Sequence, residues 1–212
     1  MDFLTQQQYF DLLYSDINAF EISMDSRKKR DMNHQSLTYG EIEFSSFKEI
    51  LDLVSPKPGE IFYDLGCGVG KPVFASALLY SFEKTVGVEI LPELYNKAME
   101  LKERFNKEIL PNLPYKISVE FICNDILEQN FSEADIVYIA STCFDTDFME
   151  KLAAQAVHLK EGARIITLTK QLYAPYLHLK ARKSFKMSWG DNTVIIVEKR
   201  ALSQQEHKDV TL

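Results

Sequence analysis

The sequence predicts an α/β sandwich: seven strands in a mostly parallel sheet with a terminal antiparallel hairpin, preceded by an N-terminal helical segment. Three observations predict it. Short apolar runs alternate with helix-length periodic stretches between residues 61 and 168. A glycine-rich turn, FYDLGCGVG at 62–70, follows the first of those runs, and two further extended runs flank Gly190, Asp191 and Asn192 near the end. Alternating strands and helices imply βαβ units, whose parallel sheet must be covered by helices on both faces.

Tyr9, Phe10, Leu12, Leu13, Ile17 and Phe20 fall near i, i+3, i+4, i+7 spacing, which predicts an amphipathic opening helix. Residues 25–36 read as a polar linker, and 47–54 as a second helix ended by the turn chemistry of Pro56, Lys57, Pro58 and Gly59. Beyond it, strands are predicted at 61–65, 85–88, 117–122, 135–139 and 163–168, and helices at 71–80, 92–109 and 147–158. The last two strands are 183–188 and 194–198, with Gly190, Asp191 and Asn192 as the hairpin turn. This divides the chain into a helical segment with a covering loop at 1–55, a ligand-binding domain at 56–200 and a frayed polar tail at 201–212.

Of the 212 residues, 46% are hydrophobic and 26% charged, a mix that buries a real core in one domain. No apolar run reaches the roughly 20 residues that a membrane helix needs, and residues 1–10 do not read as a secretory leader, so the expected location is intracellular and cytoplasmic. Three cysteines without a CxxC pair argue against a disulfide framework and against a zinc site. A net charge of −7 argues against nucleic acid as a partner. Arg27, Lys28, Lys29 and Arg30 form the one basic cluster that stands out, read as a solvated loop or helix end.

In an open α/β sheet the ligand sits beyond the carboxyl ends of the strands. Three acids fall there: Asp64 at the end of the first strand, Glu89 after the second and Asp125 after the third. Gly66, Gly68 and Gly70 remove side chains where the backbone turns against a ligand. Their spacing is one residue short of the dinucleotide fingerprint, and Asp64 would repel a diphosphate. A ligand with a cationic end suits the pocket better, and S-adenosylmethionine carries both an ammonium and a sulfonium. Glu89 would then accept the ribose hydroxyls, Asp125 the adenine amino group, and Ile126 would face the ring.

With those motifs in place, the chain resembles a class I S-adenosylmethionine-dependent methyltransferase of Rossmann-like fold. Within that class it resembles the Dot-one type, the non-SET histone-lysine methyltransferases. Five segments carry the likeness: LTYGEI at 37–42, FYDLGCGVG at 62–70, GVEI at 87–90, KEGARII at 160–166 and MSWG at 187–190. The resemblance implies that a loop carrying Tyr39 and Glu41 folds over the methionine end of the cofactor. The implied cofactor set is Tyr39, Glu41, Asp64, Gly66, Gly68, Gly70, Lys71, Glu89, Asp125 and Ile126, with S-adenosylhomocysteine as product. Two departures fall on the acceptor side. Ala140, Ser141 and Thr142 stand where the family has Asn-Asn-Phe, and Ile195, Ile196 and Val197 replace an expected aromatic pair.

The expected reaction is methyl transfer to a lysine side chain of a protein, with Tyr39, Ser141 and Trp189 as acceptor-channel residues, joined by Phe144 and Ile196. In-line displacement chiefly needs alignment and exclusion of water, and an apolar channel favours the neutral amine, so no essential base is expected. Two alternatives stay open at this stage: methylation of a small molecule, and a degenerate fold that only binds.

Overall fold

The computed structural model describes residues 1–30, 40–187 and 190–201. Seven strands form one sheet in the order β3-β2-β1-β4-β5-β7-β6. They are β1 (Ile61–Leu65), β2 (Lys84–Glu89), β3 (Ser118–Cys123), β4 (Ile136–Ile139), β5 (Arg164–Leu168), β6 (Leu177–Met187) and β7 (Gly190–Lys199). The first five run parallel, and β7 is antiparallel to both β5 and β6. Strand order reverses on either side of β1, which makes the gap between β1 and β4 the topological switch point where α/β sheets bind ligands.

The helices are α1 (Phe3–Tyr14), α2 (Ala19–Arg30), α3 (Phe44–Asp52), α4 (Lys71–Leu79), α5 (Pro92–Glu108) and α6 (Thr146–Gln155). Alternation along β1 sends Phe62 into one core and Tyr63 and Leu65 into the other. The first core gathers α1, α3, α4 and α5. Within it Phe47 meets Phe62 and Tyr138 edge-on, at ring-centre distances of 6.1 and 5.3 Å, and Phe10 packs on Phe44 at 4.8 Å. The helices before residue 55 therefore share a core with the sheet. The second core holds α6 through Met149, Leu152 and Ala153.

Four sequence expectations are corrected. The opening helix ends at Tyr14, and Asn18 restarts the chain by accepting the Glu21 amide on its side chain at 3.3 Å. The expected linker from residue 25 is helical through Arg30 instead. Its inner face is Ala19, Ser23 and Ser26, so no apolar stripe betrays it, and Ser26 hydrogen-bonds Glu93 on α5. Gly190, Asp191 and Asn192 are not the hairpin turn. They pair with Met187, Lys186 and Phe185 in the β6–β7 ladder.

β6 also begins six residues earlier than the predicted 183. As the edge strand it faces solvent widely, so its sequence, LHLKARKSFKM, lacks a buried-strand pattern. Lys180, Arg182, Lys183 and Lys186 make it a second basic stretch beside Arg27, Lys28, Lys29 and Arg30. Charge on an edge strand discourages pairing with another chain. In the first basic stretch Lys28 and Lys29 are exposed in the last turn of α2, where positive charge suits the helix dipole. The expected tail lies almost wholly outside the described residues.

Candidate cofactor and acceptor site

The glycine turn is held by its neighbour strand. Gly66 and Cys67 donate their amides to the Val88 carbonyl at 2.9 and 3.0 Å, and Gly70 donates to Cys67 O at 2.8 Å. Gly68 donates to Glu89 Oε2 at 2.8 Å, while Leu91 donates to Glu89 Oε1 at 2.8 Å. Glu89, the last residue of β2, therefore fixes both its own turn and the glycine turn. A carboxylate offers about four acceptor positions, so this leaves capacity for a diol.

The glycines do different work. Gly70 has φ +85°, and a Cβ there would sit 2.6 Å from Phe121 Cζ, so its absence lets β1 turn into α4 against the core. Gly66 has φ +88°, and a Cβ there would meet nothing within 4 Å. Its bare backbone faces open space at the switch point, as a cradle for a ligand requires.

Asp64 is only 1% exposed, and its Oδ2 has no hydrogen-bond partner among the described residues. Burial, with the Glu89 charge added, pushes its carboxyl well above the usual carboxylate range. Burial also raises Glu89, against the opposing pull of the Leu91 and Gly68 amides. Two buried acids that disfavour each other's charge, one of them unpartnered, form a site that a cation would relieve.

Asp125 is half-buried two residues past β3, accepting the Leu127 amide at 2.9 Å, and Ile126 beside it is buried. Lys71 opens α4, its Nζ 2.6 Å from Glu41 Oε2 and 5.1 Å above the Tyr14 ring. Tyr14 in turn donates to Val69 O within the glycine turn at 3.2 Å. The segment carrying Glu41 is thus tied to the cofactor edge, with α1 as part of the tie. Tyr14 carried no sequence signal beyond its place in an amphipathic helix.

Acceptor-side residues separate into three groups. Tyr39 and Trp189 lie outside the described residues. Ser141 is fully buried, and its hydroxyl donates to Leu168 O at 2.7 Å, tying the turn after β4 to the end of β5. Ile196 is core: it lies opposite Ile166, inside the β5–β7 pairing, and is 2% exposed. Phe144 sits at the edge after β4, packed on Phe148 at 4.6 Å, and its carbonyl accepts from Lys170.

Beside it lies a polar group whose members the sequence did not bring together. Thr142 and Thr169 hydroxyls approach to 3.3 Å, and Thr169 Oγ1 donates to Asn192 Oδ1 at 2.6 Å. Thr169 has φ +67°, an outlier for a β-branched residue, stabilised by its amide donating to Thr193 O at 2.7 Å.

Among the described residues no three metal-ligating side chains converge, and no helix is long and apolar enough to cross a membrane. The sheet resembles TrmN from Thermus thermophilus, with TM-score 0.61 and 17% identity over 82% of this chain and 53% of that one. It also resembles geranyl diphosphate C-methyltransferase from Streptomyces coelicolor A3(2), solved with S-adenosyl-L-homocysteine, with TM-score 0.57 and 11% identity over 73% of this chain and 78% of that one. These likenesses establish the class I methyltransferase fold.

Among curated proteins, the chain is 34% identical over 172 residues to a histone-lysine N-methyltransferase, H3 lysine-79 specific, of Debaryomyces hansenii. That match covers 76% of this chain and 14% of the relative. The protein of the same description from Caenorhabditis elegans is 32% identical over 143 residues, 65% of this chain and 15% of the relative. The chain therefore spans about a seventh of the length of these relatives. A sequence profile described as Histone methylation protein DOT1 matches residues 20–203. The chain belongs to the DOT1 histone methylation protein family.

Proposed function

We propose that this protein is an S-adenosylmethionine-dependent methyltransferase acting on a lysine side chain of a histone-type protein. The observation that carries the reading is Asp64: a buried carboxyl with an unpartnered oxygen, beside a glycine turn whose Gly66 faces open space. When bound, S-adenosylmethionine supplies an electrophilic methyl group on a sulfonium. Asp64 would hold the cationic methionine end, with Glu41 and Lys71 as a charge pair matched to its ammonium and carboxylate. Glu89 would accept the ribose hydroxyls and Asp125 the adenine amino group, with Ile126 against the ring.

The acceptor nitrogen needs a lone pair in line with the methyl group, which is chiefly a matter of alignment and dryness. Phe144 supplies apolar wall, and Ser141 positions the turn that carries it. Tyr39 and Trp189 complete the acceptor side in this reading, with no essential base. The relatives are named for a histone lysine, so the compartment we propose is that of chromatin, in place of the cytoplasm.

Isothermal titration with S-adenosylmethionine, paired with methylation of histone H3 and of recombinant nucleosomes, tests the reading. Micromolar binding and label on a histone lysine are expected. Absence of cofactor binding would sink the assignment. Binding with label only on small metabolites would move it to small-molecule methylation, and binding with no transfer at all to a binding module.

A further inference from the structure

We propose that Thr142, Thr169 and Asn192 form the acceptor-amine subsite, orienting the incoming nitrogen by hydrogen bonds in place of the asparagine pair that stands at 140–141 in the family. The inference rests on the methyl-transfer reading above and adds residues to it. Three independent features converge on this cluster.

The first is position. Thr142 follows β4, Thr169 follows β5, and Asn192 is near the start of β7, which runs antiparallel with Val194 opposite Leu168. All three therefore sit at the same sheet edge as the glycine turn, on the far side of the switch point from Glu89 and Asp125. The second is strain. Thr169 holds a left-handed conformation that disfavours its branched side chain, and that conformation aims a hydroxyl at both Thr142 and Asn192. Strain kept at a ligand edge is a mark of a site.

The third is an unfilled amide. Asn192 is 8% exposed, and its Nδ2 makes no hydrogen bond among the described residues. Turning the amide over would let Nδ2 donate to Thr169 and leave Oδ1 as an acceptor for an amine N–H. Neither orientation satisfies both ends within the described residues. The unused end reaches solvent rather than being sealed in the core, so it is open to an incoming amine. Loss of the Asn-Asn pair is then a relocation: Ala140 and Ser141 carry no amide, and Asn192 brings one from β7.

The test uses n-butylamine as a lysine-like probe on the ¹⁵N-labelled chain, with and without S-adenosylhomocysteine. The Asn192 side-chain NH₂ signals, assigned by their loss in Asn192→Asp, should move saturably. Thr169→Val keeps the branched shape and removes the hydroxyl; it should weaken amine binding about fivefold, in keeping with one net hydrogen bond. Cofactor affinity should stay unchanged, any fall in thermal midpoint should be small enough to leave the chain folded at the titration temperature, and Thr169→Ser should restore the amine response. On histone H3 the same variant should lose kcat/KM while the cofactor Kd holds.

Asn192 signals that ignore the amine overturn the proposal, as does a Thr169→Val effect that merely tracks lost thermal stability. Failure to bind S-adenosylhomocysteine overturns the methyl-transfer reading instead, because amine binding is read separately.

Discussion

Glu89 accepts the Gly68 amide at 2.8 Å across the gap between β2 and the glycine turn, so one buried carboxylate sets the shape of the loop that would hold the cofactor. Replacing it by alanine leaves the Gly68 and Leu91 amides buried without acceptors, at about 1–3 kcal/mol each. Glu89→Ala is therefore expected to lower unfolding free energy in urea by a few kcal/mol and to abolish measurable cofactor binding. Glu89→Gln, which keeps one acceptor, should fall between.

Asp64 makes the opposite trade. Its folded carboxyl is raised, so above its unfolded value the native state holds the proton more tightly than the unfolded chain. Stability from this group is present at low pH and is lost as pH rises through the folded value. Asp64→Asn should raise the thermal midpoint near neutral pH and flatten its pH dependence, while weakening S-adenosylmethionine. In the wild type a bound cation should lower the carboxyl's value, so S-adenosylmethionine affinity should depend on pH through Asp64 and lose that dependence in Asp64→Asn. An affinity whose pH dependence is the same in Asp64→Asn would contradict the assigned role.

Gly66 and Gly70 should part company on substitution. Gly70→Ala drives a Cβ into the Phe121 ring from a left-handed backbone, and urea denaturation should show a loss above about 2 kcal/mol. Gly66→Ala meets open space and bears only the left-handed penalty, roughly 1–2 kcal/mol. It should fold, yet lose cofactor affinity by tenfold or more.

The Lys71–Glu41 contact at 2.6 Å is mostly shielded from solvent, each side chain being about one-fifth exposed. A double-mutant cycle with Lys71→Met and Glu41→Gln, read on cofactor affinity, should give a coupling of about 1 kcal/mol. The coupling should shrink in high salt. A cycle that closes to zero would mean the two residues act independently.

Much of the geometry around the glycine turn was legible because its demands are local. Asp64, Gly66 and Gly70 are set by one turn, and strand ends place Glu89 and Asp125 beside it. The residues proposed for the acceptor half were less legible, because their partners come from distant segments. Ser141 was read as a channel contact, and its hydroxyl donates to the carbonyl of Leu168, 27 residues on; Asn192 was read as turn chemistry, yet it sits in a ladder opposite Phe185. α2 escaped because Ala19, Ser23 and Ser26 bury a small-residue face that carries no hydrophobic period.

By itself, the sequence determined the alternation of strands and helices, the glycine turn with its acids at the strand ends, and the family, because each follows from residue type and short spacing. Only the tertiary structure decided which groups are left unsatisfied. Burial without a partner at Asp64, and a strained Thr169 bonded to an amide brought in by an antiparallel strand, are products of packing, where the cost of an unpaired polar group depends on everything that surrounds it.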